Sequence, residues 1–370
     1  MEKRPINLNS HSLSPVCSAS IDRMVSYLKN PQMSAADLEL RYQAIYDLVG
    51  ASFEDTFVFT SSAAEAVNQV LWSAFLEVAR KTGKCHFITS NIEDAPTLQM
   101  LKRLEDLGCF VKFSSMNTQG QIDVQQLKDL ITPRTALLSV TVAHGLTGVI
   151  QPVEEIASLA KEKGVLLHLD ASYALGKYDL SYLKPDYITF SGERLHAGVG
   201  SGGLFIKKGA PLSPLILGGV EQGGLRGGSL DLPSFLALSA AASQISLNFD
   251  AMSLEMARLR DLFETEIQFQ IPGAQVLFKE MLRLPNTSAI LFPGSHYEAL
   301  LYLLERKGVF ATAGGTYFQH LHKILSTVGI EGERALSFSL DRMTTQEEII
   351  QAVSIISKEV RTLRTLCEDL

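Results

Sequence analysis

The sequence has no long hydrophobic run and no cluster of basic residues. Its 370 residues include 33 Lys and Arg against 40 Asp and Glu, which gives a formal net charge of −7. Nucleic acids and anionic membranes bind clustered cations that neutralise phosphates, so neither is an expected partner. The first residues lack the apolar stretch of a secretion signal, and no segment approaches the ~20 apolar residues of a transmembrane helix. We therefore expect a cytoplasmic protein whose partners are small molecules or other proteins.

Cysteine is also scarce. The four cysteines, Cys17, Cys85, Cys109 and Cys367, are scattered and show no spacing typical of a metal site. A chain of this length buries enough apolar surface to fold without disulfides, so the pattern fits a reducing compartment. We expect ordinary thiols at these positions and no metal centre.

What is present is a large apolar content in a regular alternation of strands and helices. Hydrophobic residues make up 46% of the chain, and 370 residues exceed the length at which single cores usually split, so two unequal lobes are expected. Short apolar runs alternate with helix-period segments, the order of a parallel sheet covered by helices on both faces. The predicted strands are residues 57–60, 86–89, 110–113, 136–140, 166–169, 187–190 and 203–206, and the main helices between them are 62–79, 96–107 and 153–163.

Beyond about residue 250 the pattern changes to long amphipathic helices around two strands, 287–291 and 335–340, with a final helix from residue 345 to about 363. This predicts a large α/β domain over residues 1–255 and a smaller α+β domain over 256–370. The N-terminal segment is a candidate to pack on the small lobe. The glycine-rich stretch 218–229 is expected to be an ordered loop.

Ligands of such sheets bind beyond the carboxyl ends of the strands, so the residues that follow each strand are the candidates for function. Residues 60–65 run from a strand into a helix, which suits either a phosphate on free backbone N–H groups or a simple helix cap. Asp170 ends the fifth strand, where a carboxylate can hold a protonated ring nitrogen, or it is a surface residue in a turn. His168 is expected in the core, because mid-strand positions are usually packed.

Several ordered sequence blocks together resemble one family. The blocks are residues 60–65, 147–152, 168–170, 191–196 with the glycines of 200–203, 218–229, 284–287 and 338–345. In this order they are similar to the signature blocks of the class V aminotransferases, and within that family to the cysteine desulfurase branch.

The resemblance implies a fold-type I, pyridoxal phosphate (PLP)-dependent transferase: a mostly parallel central sheet with helices on both faces, a smaller α+β lobe, and a homodimer with the cofactor near the subunit boundary. Ala64 replaces a threonine that usually contacts the phosphate. The cofactor contacts implied by similarity are Ser61, Ser62 and Ala63 around the phosphate, Ser191 as an added hydroxyl, Asp170 at the pyridine nitrogen, and Ser229 of the partner subunit at the phosphate.

The catalytic positions depart from the family. The Schiff-base lysine is replaced by Arg194 in a block that aligns without a gap, and a guanidinium does not lose its proton at any relevant pH. The cysteine that would accept sulfur is replaced by Thr316, whose hydroxyl stays protonated near pH 7. If PLP binds, we expect it to bind without a covalent bond.

Other family contacts are replaced as well. Asp94 stands where a histidine would stack on the pyridine ring, and Glu193 where a histidine would lie beside the phosphate. Gly145 and Tyr173 stand where an amide would reach the ring oxygen. Ser337 replaces the arginine that would bind a substrate carboxylate through two hydrogen bonds.

Three functional hypotheses follow. The first is a non-catalytic relative that binds or regulates an active paralogue, a sulfur carrier or a scaffold protein of sulfur or iron–sulfur metabolism. The second is a lysine-independent enzyme on an amino-acid substrate with His196, Glu93, Asp94 or His144 as its base, although His196 and His144 also fit surface loops. The third is an active PLP-dependent transferase whose alignment differs. Arg194 itself could pair with Asp170 or Glu193, or hold another anion.

Overall fold

A computed structural model describes residues 5–12, 14–315 and 319–368. The chain begins with a two-residue strand in the small lobe, β1 (Ile6–Asn7), followed by helices α1 (Ser18–Lys29) and α2 (Ala35–Val49). The hydroxyl of Ser34 accepts a hydrogen bond from the N–H of Asp37, which satisfies a donor at the start of α2.

The seven predicted strands of the large lobe are all confirmed. They are β2 (Thr56–Thr60), β3 (His86–Ser90), β4 (Phe110–Ser114), β5 (Thr135–Thr141), β6 (Leu166–Asp170), β7 (Tyr187–Ser191) and β8 (Gly202–Ile206). Each is short, and all except the edge strand β4 are mostly buried, because helices cover both faces of the sheet.

These strands form one twisted sheet in the order β2-β8-β7-β6-β5-β3-β4. Strand β8 runs antiparallel to both of its neighbours, and the other pairs are parallel. The sheet is therefore mostly parallel, and the carboxyl ends of β3, β6 and β7 meet at one edge.

Helices cover the sheet on both faces. The helical segment predicted over residues 62–79 is divided into α3 (Ala63–Ser73), a π-helical segment (Ala74–Ala79) and α4 (Arg80–Thr82). The remaining helices of this lobe are α5 (Ala95–Asp106), α6 (Val124–Leu130) and α7 (Val153–Lys163), with short 3₁₀ turns at Glu193–Leu195 and Glu221–Gly224.

A single helix joins the two lobes. Helix α8 (Leu232–Gln270) is 39 residues long and is kinked at Asn248, where φ is −129°. Phe235 near its start lies in the core of the large lobe, and Phe263 near its end lies in the core of the small lobe. The predicted domain boundary at residue 255 falls inside this helix.

The small lobe contains an antiparallel sheet of three strands in the order β12-β10-β9, and a parallel pair of β1 with β11, so the N-terminal strand belongs to this lobe. Its elements are β9 (Gln275–Val276), β10 (Thr287–Leu291), α9 (Tyr297–Arg306), β11 (Val309–Phe310), α10 (Leu321–Ser326), a 3₁₀ turn (Gly332–Arg334), β12 (Ala335–Ser339) and α11 (Gln346–Glu368).

Over the ranges that the structure describes, no helix is both long enough and apolar enough to cross a membrane.

Candidate functional site

Strands β3, β6 and β7 and the N-terminal segment bring polar side chains together at the carboxyl edge of the sheet. Asp170 and Ser191 are the last residues of β6 and β7, and both are buried, so Asp170 is not a surface residue in a turn. Its contact with a ring nitrogen stays a prediction. Glu93 and Asp94 lie in the turn between β3 and α5. Arg194 lies in the 3₁₀ turn that follows β7.

Arg194 is buried and makes contacts on three sides. Its side chain is 6% exposed, its Nε donates to the carbonyl oxygen of His11 at 2.9 Å, and its Nη2 donates to the hydroxyl of Tyr173 at 3.3 Å. Its Cζ lies 4.5 Å from the centroid of the Tyr173 ring, a cation–π contact. Nη1 is 3.5 Å from a carboxylate oxygen of Glu193. Of the pairings considered from the sequence, the one with Glu193 is present as an ion pair.

Tyr173 connects Arg194 to Asp94. The Tyr173 hydroxyl donates to the Asp94 carboxylate, and the tyrosine ring is 2% exposed. Burial raises the pKa of Asp94 to about 7, against the opposing effects of the Tyr173 hydrogen bond and the Arg194 charge. Arg194, Tyr173 and Asp94 therefore form one chain of contacts, with Arg194 and Tyr173 buried and Asp94 half-buried.

Two further carboxyl groups lie beside this chain. Asp170 Oδ1 accepts hydrogen bonds from the N–H and the hydroxyl of Ser172, at 3.0 and 2.6 Å. Burial raises the pKa of Asp170, and these two hydrogen bonds oppose the shift. Glu93 accepts from the Ser90 hydroxyl and from the N–H of Thr141, and burial raises its pKa to about 8.

His11 is a site residue that the sequence did not single out. Its Nδ1 lies 2.6 Å from the carbonyl oxygen of Gly145, so Nδ1 carries the proton, and its Nε2 lies 3.3 Å from Asn286 Nδ2 and from Thr287 Oγ1. Burial lowers its pKa to about 3, with a smaller contribution from the charge of Lys177. His11 thus joins the large lobe to the start of β10. The feature of the sequence that could have indicated His11 as a site residue is its position as a single histidine before the first helix.

Lys177 is the second residue that sequence reasoning missed. Its Nζ donates to the carbonyl oxygens of Tyr173 and Arg194, at 3.3 and 3.4 Å. Burial lowers its pKa to about 7, and the charges of Arg194 and Arg342 add to the shift.

The two histidines proposed as bases are buried, so the alternative that they are surface-loop residues is wrong. His196 Nδ1 lies 2.7 Å from the carbonyl oxygen of Pro15, and burial lowers its pKa to about 3. His144 Nδ1 lies 3.0 Å from Thr147 Oγ1, and burial lowers its pKa to about 4. A role as base stays a prediction for both.

His168 is a core residue, as predicted. Its two ring nitrogens lie 2.8 Å from Ser139 Oγ and 2.9 Å from Thr189 Oγ1, which are hydroxyls on the flanking strands.

The turn after β2 caps helix α3, and some backbone N–H groups at the start of the helix remain without an intrahelical acceptor. Ser62 Oγ accepts from the N–H of Glu65 at 3.3 Å, and a Glu65 carboxylate oxygen accepts from the N–H of Ser61 at 2.8 Å. The N–H groups of Ala63 and Ala64 begin α3 and have no intrahelical acceptor. Gly202 of β8 permits this close approach, since a Cβ there would lie 2.5 Å from the Ser62 carbonyl carbon. The cap is confirmed, and the phosphate contact stays a prediction.

The remaining predicted positions are dispersed. Ser229 is exposed at the end of a loop that Arg226 ties to Glu65 through a 3.0 Å ion pair. Ser337 is buried and donates to the carbonyl oxygen of Leu146 at 2.7 Å. Thr316 lies outside the described residues. Within the described ranges, no group of three or more His, Cys, Asp or Glu side chains is arranged to hold a metal ion.

Comparison with known proteins identifies the scaffold. The model of the family "Aminotransferase class-V" matches residues 18–352. The chain belongs to the class V aminotransferase family. Within this PLP-dependent family it lies in the cysteine desulfurase-like branch, which confirms the resemblance inferred from the sequence blocks.

Two curated relatives illustrate the match. The chain is 31% identical over 367 residues to a cysteine desulfurase of Nostoc sp. (strain PCC 7120), with 95% of this chain and 90% of the relative covered. It is 32% identical over 367 residues to cysteine desulfurase 2 of Trichormus variabilis, with 95% and 91% covered.

Solved structures agree on the fold. A NifS-like protein superposes with a TM-score of 0.87 at 25% identity, with 97% of this chain and all of that chain (100%) covered. The apo cysteine desulfurase from Thermococcus onnurineus superposes with a TM-score of 0.82 at 18% identity, over 97% of this chain and 95% of the other. The mostly parallel sheet with a smaller second lobe is thereby confirmed.

Proposed function

We propose that this chain is a cysteine desulfurase-like protein without desulfurase activity, which keeps the family scaffold as a homodimer and acts by binding. Its partner would be an active paralogue, a sulfur carrier or a scaffold protein of sulfur or iron–sulfur metabolism. A cytoplasmic location stays a prediction.

The contacts of Arg194 are the observation that carries this proposal. Arg194 occupies the sequence position of the family's Schiff-base lysine, and its guanidinium is 6% exposed. The group is already bonded to the His11 carbonyl and the Tyr173 hydroxyl. A guanidinium keeps its proton at any relevant pH, so it neither attacks an aldehyde nor accepts a substrate proton.

The residues of this site do not fit PLP held covalently. Where the family has a lysine and a stacking histidine, this chain has Arg194 and Asp94, and Tyr173 bonds to both of them. The N–H groups of Ala63 and Ala64 at the start of α3 still offer donors to a phosphate, which leaves non-covalent binding as the mode to test. No reaction step is assigned to the cofactor.

A second candidate, a lysine-independent enzyme, is favoured by one observation. Glu93 is buried and the adjacent Asp94 is half-buried, and desolvation raises their pKa values to about 8 and about 7. Such groups exchange protons near neutral pH, as a general acid or base must. If this enzyme exists, we expect Glu93→Gln to abolish its turnover.

Absorption from about 300 to about 500 nm, recorded with PLP before and after borohydride and dialysis, separates the two candidates. A non-catalytic protein gives no band specific to the protein. A band that resists borohydride and disappears on dialysis indicates specific non-covalent binding and favours the lysine-independent enzyme. A band fixed by borohydride in the wild-type protein would contradict both.

A gain-of-function variant tests the role of Arg194 directly. We expect Arg194→Lys to place an amine on the same turn and to give a borohydride-fixed adduct located at residue 194 by peptide mapping. Arg258→Lys is the matched control, because Arg258 is half exposed and pairs only with neighbouring surface groups. A folded Arg194→Lys variant that forms no adduct would show that the other replacements suffice to block the site.

The binding role is tested by assembly state. Light scattering of the purified chain is expected to give a homodimer, and co-expression with an active desulfurase paralogue tests for a mixed dimer. Recovery of homodimers alone under co-expression would exclude a mixed dimer with that paralogue.

A further inference from the structure

Cys85 and Cys109 immediately precede the neighbouring strands β3 and β4, at the edge of the sheet opposite the candidate site. Strands β3 and β4 are parallel, with His86 paired with Phe110, and the N–H of Phe110 donates to the carbonyl oxygen of Cys85 at 2.9 Å. One residue earlier, the same register pairs Cys85 with Cys109. Neighbouring strands lie ~4.8 Å apart, which is within the ~4.4–6.8 Å between Cα atoms that a disulfide spans.

The two side chains lie on the same face of the sheet. Cys109 is part of the hydrophobic cluster formed with α3 and α5, and Cys85 packs against that same cluster. Cys109 is buried and 7% exposed, whereas Cys85 is half-buried and accessible. Both cysteines are free thiols.

Their environments differ as those of an attacking and a resolving thiol do. Arg134 Nη2 donates to Cys85 Sγ at 3.1 Å, and a partly exposed sulfur beside a cation is the typical setting of a reactive cysteine. Burial raises the pKa of Cys109 to about 11, and the nearby Cys85 adds to the shift. Cys109 therefore keeps its proton until a leaving thiolate accepts it.

We propose that Cys85 and Cys109 form a redox-active dithiol that exchanges with low-molecular-weight disulfides. The Cys85 thiolate attacks one sulfur of the disulfide R–S–S–R, which forms Cys85–S–S–R and releases one thiolate, RS⁻. That thiolate takes the proton of Cys109, and the resulting Cys109 thiolate attacks Cys85 Sγ and releases the second RS⁻, which is protonated by water. Two protein thiols are oxidised to one disulfide, and R–S–S–R is reduced to two thiols.

The site is separate from the one around Arg194. Cys85 precedes the amino end of β3, while Glu93 and Asp94 follow its carboxyl end. The proposal therefore stands whether or not PLP binds.

Non-reducing peptide mapping tests the proposal on the full chain. The protein is incubated with oxidised glutathione, blocked with an alkylating reagent and digested with trypsin, which places Cys85 in peptide 85–102 and Cys109 in peptide 104–112. We expect these two peptides to appear covalently linked and two of the four thiols to be lost. Cys85→Ser and Cys109→Ser should each abolish the linked pair.

Cys17→Ser is the matched control, because Cys17 is also 7% exposed and lies in a different part of the core. It should retain the linked pair. Glutathione attached to Cys85 without a link to Cys109, in protein with native circular dichroism, would overturn the proposal, as would equal reactivity of Cys17 and Cys85.

A rate measurement tests the role of Arg134 separately. In a Cys367→Ser background, the neutral reagent 4,4′-dithiodipyridine should modify Cys85 first, and Arg134→Gln should slow that step by about threefold or more. Arg103→Gln is a matched control, since Arg103 is an exposed arginine of α5 and is expected to leave the rate unchanged. An unchanged rate in Arg134→Gln would remove Arg134 from the site and leave the chosen order of attack without support.

Discussion

The turn after β2 and the cluster around Arg194 lie at the same edge of one sheet, but they are built from different parts of the chain. The turn offers backbone N–H groups at the start of α3, and Ser62 and Glu65 hold its shape. The cluster is made of side chains, and the Tyr173 hydroxyl bonds to both Arg194 and Asp94. The turn therefore depends on the path of the backbone, whereas the cluster depends on the identity of its side chains.

This difference explains how a scaffold can stay recognisable while its chemistry changes. Backbone donors survive most substitutions, because every residue except proline supplies an N–H. A few substitutions are enough to change the chemistry of a site that is made of side chains. In this chain the charge of Arg194 is matched by Glu193 and by the nearby carboxyl groups.

The largest expected effect is on stability when Arg194 is removed. Arg194→Met should lower the free energy of unfolding by ~3–5 kcal/mol, because it removes a buried cation from its hydrogen bonds to His11 and Tyr173 and from the nearby carboxyl groups. Urea unfolding measures the change. Arg258→Met, which breaks an exposed pair, should cost at most ~1 kcal/mol. Equal costs for the two variants would show that the cluster is not a structural unit.

The second prediction concerns how the stability contributed by Glu93, a buried side chain beside the cluster, depends on pH. The pKa of Glu93 is raised to about 8 in the folded chain, against 4.5 for the ordinary group, so its stabilising contribution is present below about pH 4.5 and is lost as the pH rises to about 8. Glu93→Gln should therefore become more stable relative to wild type over this window, by up to about 1.4 kcal/mol per pH unit. Glu255→Gln, at a fully exposed position, should show no such trend. Urea unfolding of both proteins at several pH values measures this trend. If the difference in unfolding free energy between Glu93→Gln and wild type does not change with pH, Glu93 does not have a raised pKa in the folded chain.

The smallest expected effect is at the turn. Ser62→Ala removes the acceptor for the N–H of Glu65 and should cost ~1 kcal/mol, the usual value of a helix cap. Ser34→Ala at the start of α2 is the matched control and should cost about the same, on the same principle. Thermal unfolding of both variants tests this. A cost at Ser62 several times larger would show that the turn does more than cap α3.

The sequence predicted those features that local patterns determine. The strands of the large sheet and the place of Asp170 at the end of β6 follow from short-range hydrophobic alternation along the chain. The blocks around residues 60–65 and 191–196 were enough to indicate the family.

The contacts that fill the site were beyond such patterns. His11 and Arg194 are 183 residues apart, and Tyr173 and Asp94 are 79 apart, so no periodicity connects them. The burial of His196 and His144 was missed for the same reason, because the N-terminal segment that covers His196 is distant in sequence. Packing between segments that are distant in sequence decides these positions.

Helix α8 has a consequence for how the molecule folds and moves. At 1.5 Å per residue its 39 residues extend about 58 Å, and the same rod supplies Phe235 to one core and Phe263 to the other. The lobes are therefore not modules that a linker joins. Because this helix contributes to both hydrophobic cores, the two lobes should unfold in one cooperative transition. Any rotation of one lobe relative to the other must bend α8, and its kink at Asn248 is the place for that bend.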